Sequence, residues 1–129
     1  MFLGLRTVMY PAPNLAAEKA WWESALGIEP YFDEPFYVGF NVGGYELALD
    51  PHADPAEGPM TYWGVPDVDK AVTMLIQAGA TARGTVQEVG GSIRVASVVS
   101  PSGSVIGLIE NPHFALPDPP PHVGEGPGR

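Results

Sequence analysis

Apolar positions change rhythm along the chain, and each change marks an element. Leu3–Tyr10 is an apolar run that meets Pro11 and Pro13, as a short strand would. Asn14 offers a side-chain oxygen to open first-turn amides and predicts a helix over Leu15–Leu26, stopped by Gly27. Phe36, Val38, Phe40 and Val42 then alternate with Tyr37, Gly39 and Asn41. Tyr45, Leu47 and Leu49 alternate with Glu46 and Ala48. A period of two predicts strands with one face on a core, which turns Tyr37 and Asn41 to the other face.

The same order of signals returns further on. Met60–Val65 reads as a strand, Pro66 and the cap Asp67 follow, and a helix is predicted over Val68–Ala78 with Gly79 as its stop. Val68, Ala71, Val72, Leu75 and Gly79 make one apolar stripe at 3.6-residue spacing. Ile93–Val99 and Val105–Ile109 are strands of less clean alternation, with turns at Gly90-Gly91 and Pro101-Ser102-Gly103. Pro13-Asn14-Leu15 overlays Pro66-Asp67-Val68 at an offset of about 53 residues. Two copies of strand, helix and three strands point to a duplicated βαβββ module; two unrelated α+β halves are the plainer alternative.

One domain over residues 1–111 is expected, with modules 1–52 and 59–111 and the turn-rich linker 51–59, PHADPAEGP. Residues 112–129 hold six Pro and three Gly and read as an extended tail outside the regular fold. The charge of −9, from 15 acids against six Lys and Arg, argues against nucleic acid or an anionic membrane as partner. With no Cys there is no disulfide, thiolate nucleophile or Cys metal site. The opening MFLGLRTVMY is too short to span a bilayer and lacks a signal peptide's basic start, so a cytoplasmic protein is the expectation.

Three segments, in order, carry a family resemblance. LRTVMYPAPNLAAEKAWWESALG resembles the first strand and helix of the glyoxalase/bleomycin-resistance/extradiol-dioxygenase superfamily, the vicinal oxygen chelate proteins. YWGVPDVDKAVTMLIQAGA resembles the second module's strand and helix. VVSPSGSVIGLIENP resembles the closing turn and last strand, with Ser100 and Ser104 where the family carries Asp and Asn. The resemblance implies an α+β fold: two βαβββ modules forming a cupped mixed sheet, helices on the convex side and the ligand in the cup. Enzymes of the family hold a divalent metal there on four inward side chains.

Carried over position by position, those four places fall on Thr7, Glu46, Met60 (Thr61 with one residue of slippage) and Gly107. One carboxylate among four does not hold a divalent ion usefully, so no metal or other cofactor is expected. His52 lies in the linker, and His113 and His122 lie in or beside the tail; none falls on a predicted strand. Glu46 has two readings: a carboxylate aimed into the cup as base or anchor, or a group paired with Arg94 or a tyrosine, or reaching solvent. Tyr62, in phase with Met60, joins Tyr37 and Asn41 as a lining candidate. Arg94 binds either an anionic ligand or an acid of the same chain.

The expected function is therefore binding of a small aromatic or hydrophobic molecule in the cup without the family's full metal site. The ligand-binding candidates are Thr7, Tyr37, Asn41, Glu46, Met60, Tyr62, Arg94 and Gly107, with Glu46 the one catalytic candidate. The alternative is a lyase, isomerase or dioxygenase using a non-standard metal site or Glu46 as acid–base. A regulatory subunit acting through its tail is a third. The resemblance also implies a homodimer, in which Thr7 and Glu46 of one copy face Met60 and Gly107 of the other.

Overall fold

The computed structural model describes residues 2–114. The expected tail, beyond its first three residues, lies outside that range, as does His122. In chain order the elements are β1 (Gly4–Pro11), α1 (Leu15–Leu26), β2 (Phe32–Glu34), β3 (Tyr37–Val42) and β4 (Tyr45–Asp50), then a 3-10 turn at Pro55–Glu57. The second module follows with β5 (Met60–Gly64), α2 (Val68–Gln77), β6 (Thr81–Glu88), β7 (Arg94–Val99) and β8 (Val105–Glu110). The motif βαβββ occurs twice, as the repeat predicts.

Both helices start where their caps dictate. Asn14 accepts from the Ala17 amide, and Asp67 accepts from the Lys70 amide. Gly27 ends α1 at a φ of 71°, in the left-handed region that a side chain disfavours. Glu110 supplies α2 with a second acceptor, taking a hydrogen bond from the Val68 amide at 3.0 Å.

All eight strands form one curved, open mixed sheet in the order β2-β3-β4-β1-β5-β8-β7-β6. β1 pairs with β5 antiparallel at the centre, and each lies parallel to the last strand of its own module. The helices cover one face. Ala12, Val38, Phe40 and Leu49 are buried there with Leu15, Trp22 and Leu26 of α1 against them. Val65, Val68, Ala71, Ala96 and Leu108 form the second core, joined by Val72 and Leu75. Of the expected β3 core face, Val38 and Phe40 are buried, whereas Phe36 lies in the turn before β3 and Val42 at its far end, both exposed. Among the described residues no helix is long and apolar enough to cross a membrane.

Candidate functional site in the sheet cup

Residues paired directly across strands share a sheet face. The register therefore builds one row across the helix-free side: Asn41 opposite Glu46, Glu46 opposite Thr7, Thr7 opposite Tyr62 and Tyr62 opposite Gly107. Five of the residues singled out from the sequence lie in this row, within a single chain and without a second copy. Tyr37 and Met60 lie on the same face, Met60 paired with Met9. The place on β5 in line with Thr7 and Gly107 is thus Tyr62 rather than Met60.

Arg94 is not brought to the cup. It begins β7 on the helix side, where its guanidinium meets Asp69 of α2 at 2.8 Å and Glu110 at 3.5 Å. Of its two readings, the intramolecular partner is the one observed.

Glu46 is the hub of the row. Thr7 Oγ1 and Tyr37 Oη both donate to Oε1 at 2.9 Å, and Tyr31 Oη donates to Oε2 at 2.5 Å. A carboxylate offers about four acceptor sites, so one is left, on Oε2. Thr7 is buried at 5% exposure, and its hydroxyl has its partner in this cluster. Burial, the hydrogen bond to Glu46 and its charge push the Tyr31 phenol up. The Tyr37 phenol is pushed up by burial, then by the charge of Glu46 and the bond to it. Both stay protonated donors. Burial also raises Tyr62, with Asp50 adding to the effect and Arg83 opposing it.

Two glycines make the packing possible. A Cβ at Gly39 would lie 2.5 Å from Glu46 Oε2 and 3.1 Å from the Tyr31 ring. A Cβ at Gly107 would lie 2.6 Å from the Tyr62 ring and 2.7 Å from the Thr61 carbonyl oxygen.

The four family metal positions do not fit a divalent ion. Glu46 is the one carboxylate, the Thr7 hydroxyl already donates to it, and the Tyr62 phenol resists ionisation. At Gly107 the Tyr62 ring fills the space a ligating side chain would cross. Among the described residues no three His, Cys, Asp or Glu side chains come together.

An open cleft of about 250 Å³ lies over the row's module-one end. Glu46, Thr7 and Asn41 line it together with groups that sequence reasoning did not select: Arg6, Tyr31, Tyr45 and the segment after β8. That segment bends back through an Asn111 turn, whose Oδ1 accepts from the His113 amide at 2.9 Å. His113 Nε2 lies 2.8 Å from the Gly91 carbonyl, and the Phe114 ring lies under the Arg6 guanidinium, 3.9 Å from Cζ. His113, expected outside the cup, thus lines its mouth. The Asn-Pro pair before it was the available sign of a turn.

No protein-family model matches the chain, and no curated protein matches it in sequence. Solved structures do match. A Streptomyces coelicolor methylmalonyl-CoA epimerase, in complex with 2-nitronate-propionyl-CoA, superposes at a TM-score of 0.71 with 14% identity, covering 87% of this chain and 99% of that one. Methylmalonyl-CoA epimerase from Mycobacterium tuberculosis gives 0.68 at 19% identity, covering 85% and 89%. A Legionella pneumophila chain described as an NAD-dependent benzaldehyde dehydrogenase gives 0.67 at 15%, covering 81% and 97%. The chain has the glyoxalase/vicinal oxygen chelate fold that its sequence motifs implied.

Proposed function

We propose that this protein binds a small organic molecule with an aromatic or hydrophobic body in the sheet cup, anchored on Glu46, without a metal at the family position. The observation that carries this reading is the Glu46 carboxylate held by three hydroxyls beside an open cleft. Fixed donors pre-orient the carboxylate, so binding does not have to freeze it. Its remaining acceptor site suits one hydroxyl or ammonium hydrogen of a ligand. Tyr31, Tyr45 and Phe114 supply apolar walls, and about 250 Å³ suits a metabolite smaller than most drugs.

The test is a thermal-shift screen of small aromatic amines and phenols against wild-type protein and Glu46→Gln, alongside elemental metal analysis. Ligands that stabilise the wild type should lose about tenfold or more in affinity in the variant, because one hydrogen bond to a charged group is removed. Equal affinity in both proteins would remove Glu46 as anchor. Stoichiometric metal would overturn the metal-free reading. If Glu46→Gln keeps affinity for a compound the wild type converts but abolishes its conversion, Glu46 is an acid–base catalyst.

A further inference from the structure

Arg6 belongs, by simple alternation, on the face opposite Thr7. The pairing of β1 with β5 prevents this: Leu5 pairs with Trp63 and Thr7 with Tyr62, leaving Arg6 as an extra residue. A bulge of this kind re-aims a side chain, and Arg6 is turned across Gly64 into the cup. The passage is fitted to it. A Cβ at Gly64 would lie 2.6 Å from Arg6 Nε and 2.9 Å from Cζ, so any other residue there displaces the guanidinium. The Phe114 ring stacks against the guanidinium, 3.9 Å from Cζ.

Arg6 also differs from the other described arginines in its partners. Arg83 is paired with Glu57 and Arg94 with Asp69 and Glu110, but no carboxylate among the described residues lies within 4.0 Å of Arg6. Its one hydrogen bond among the described residues is a long one, 3.4 Å from Nη1 to the Leu5 carbonyl. In a chain of net charge −9, a half-buried guanidinium held open toward a cleft contrasts with its surroundings. Glu46 lines the same cleft without reaching it.

We propose that Arg6 is an anion subsite, and that the cup's ligand is a small carboxylate with a hydroxyl or ammonium group at its other end. The carboxylate takes the guanidinium's free N–H edge, a geometry that permits two parallel hydrogen bonds, while the other end donates to Glu46 Oε2. The second half of this statement rests on the Glu46 reading above; the first does not.

Three probes separate the two ends by calorimetric titration at millimolar concentration: 3-phenylpropanoate (anion only), 2-phenylethylamine (cation only) and phenylalanine (both). The expected result is that wild type binds 3-phenylpropanoate, and that Arg6→Met weakens it by about tenfold or more while leaving 2-phenylethylamine unchanged. Phenylalanine should bind more tightly than either single-ended probe. Equal affinity of Arg6→Met for 3-phenylpropanoate overturns the subsite, as does its failure to bind folded wild type. Should Arg6→Met not fold, the wild-type Arg6 Nε–H resonance decides: a saturable shift with 3-phenylpropanoate supports the subsite and a static signal overturns it. Retained, Glu46-dependent binding of 2-phenylethylamine with no anion binding would sink Arg6 and leave the Glu46 reading standing. Loss of both would remove both.

Discussion

The two modules share a scaffold and differ in what they put on it. In module one the cup face carries Glu46 with three hydroxyl donors, and a bulge turns Arg6 toward the same cleft. In module two the place matching Glu46 on the last strand is Gly107, roofed by Tyr62, and both arginines pair away from the cleft. Both modules therefore keep the helix N-caps, a buried core under the sheet and the strand order, which folding requires, and differ on the cup face. The polar groups of the cleft are one-sided: module one carries Arg6, Glu46 and its donors, module two carries the ring over Gly107, and the segment after β8 lies at the cleft's mouth.

The largest test of this picture concerns the part the modules share. Phe40 and Leu108 are fully buried, one in each core. Phe40→Ala should cost about 3–5 kcal/mol and Leu108→Ala about 2–5 kcal/mol. Because β1 and β5 join the halves in one sheet, each variant should lower a single common midpoint in urea, read alike by circular dichroism and by tryptophan fluorescence. Two separated transitions would mean that the modules fold independently.

Next in size are the two glycines. At Gly107 an added methyl meets a backbone carbonyl as well as a ring, so Gly107→Ala should cost about 1–3 kcal/mol. At Gly39 the obstacles are the ends of the Glu46 and Tyr31 side chains, which can move. Gly39→Ala should lose less stability than Gly107→Ala and more ligand affinity. The reverse order in either measurement would break the division between a chemical half and a covering half.

Similar in size is the effect of Tyr37→Phe, about 1.5–3 kcal/mol for a lost hydrogen bond to a charged group. Its pH dependence sharpens the comparison. The folded protein holds the Tyr31 and Tyr37 protons above the ordinary phenol value of 10.0, whereas the unfolded chain releases them there. Their contribution to stability is complete below pH 10 and declines as pH rises from 10 toward the folded values. Urea midpoints should therefore fall less steeply above pH 10 in Tyr37→Phe than in wild type.

Much of this architecture was readable in the sequence because burial imposes a period. The caps Asn14 and Asp67, the α2 stripe and Asn41 on β3 follow from capping chemistry and alternation, whereas Thr7, Glu46 and Gly107 were places that the family resemblance implied. The strands no pattern revealed, β2 and β6, are the two edges of the sheet. β2 is exposed throughout and β6 nearly so, and a strand without a buried face shows no alternation. The displacement from Met60 to Tyr62 has another cause, since counting along one strand cannot set its register against another. Arg6 was hidden by the bulge, which reverses the face that alternation assigns. Tyr31 and His113 come from irregular segments, where spacing says nothing about direction.

The smallest expected effect concerns Arg94, the arginine that the sequence did single out. Arg94 joins β7 to α2 through Asp69, whose side chain is 60% exposed, and reaches Glu110 at the longer distance of 3.5 Å. Both acids hold its guanidinium more firmly charged, the hydrogen bond to Asp69 being the leading cause. Solvent screens such exposed pairs strongly, so Arg94→Met should barely move the urea midpoint. Its value lies in the contrast with Arg6. The aliphatic stem is kept in Met, and the cup face is untouched, so 3-phenylpropanoate and 2-phenylethylamine should bind the Arg94→Met protein as they bind wild type. Loss of anion binding on changing Arg94 rather than Arg6 would place the chemistry on the helix side of module two and reverse the asymmetry from which the ligand was inferred.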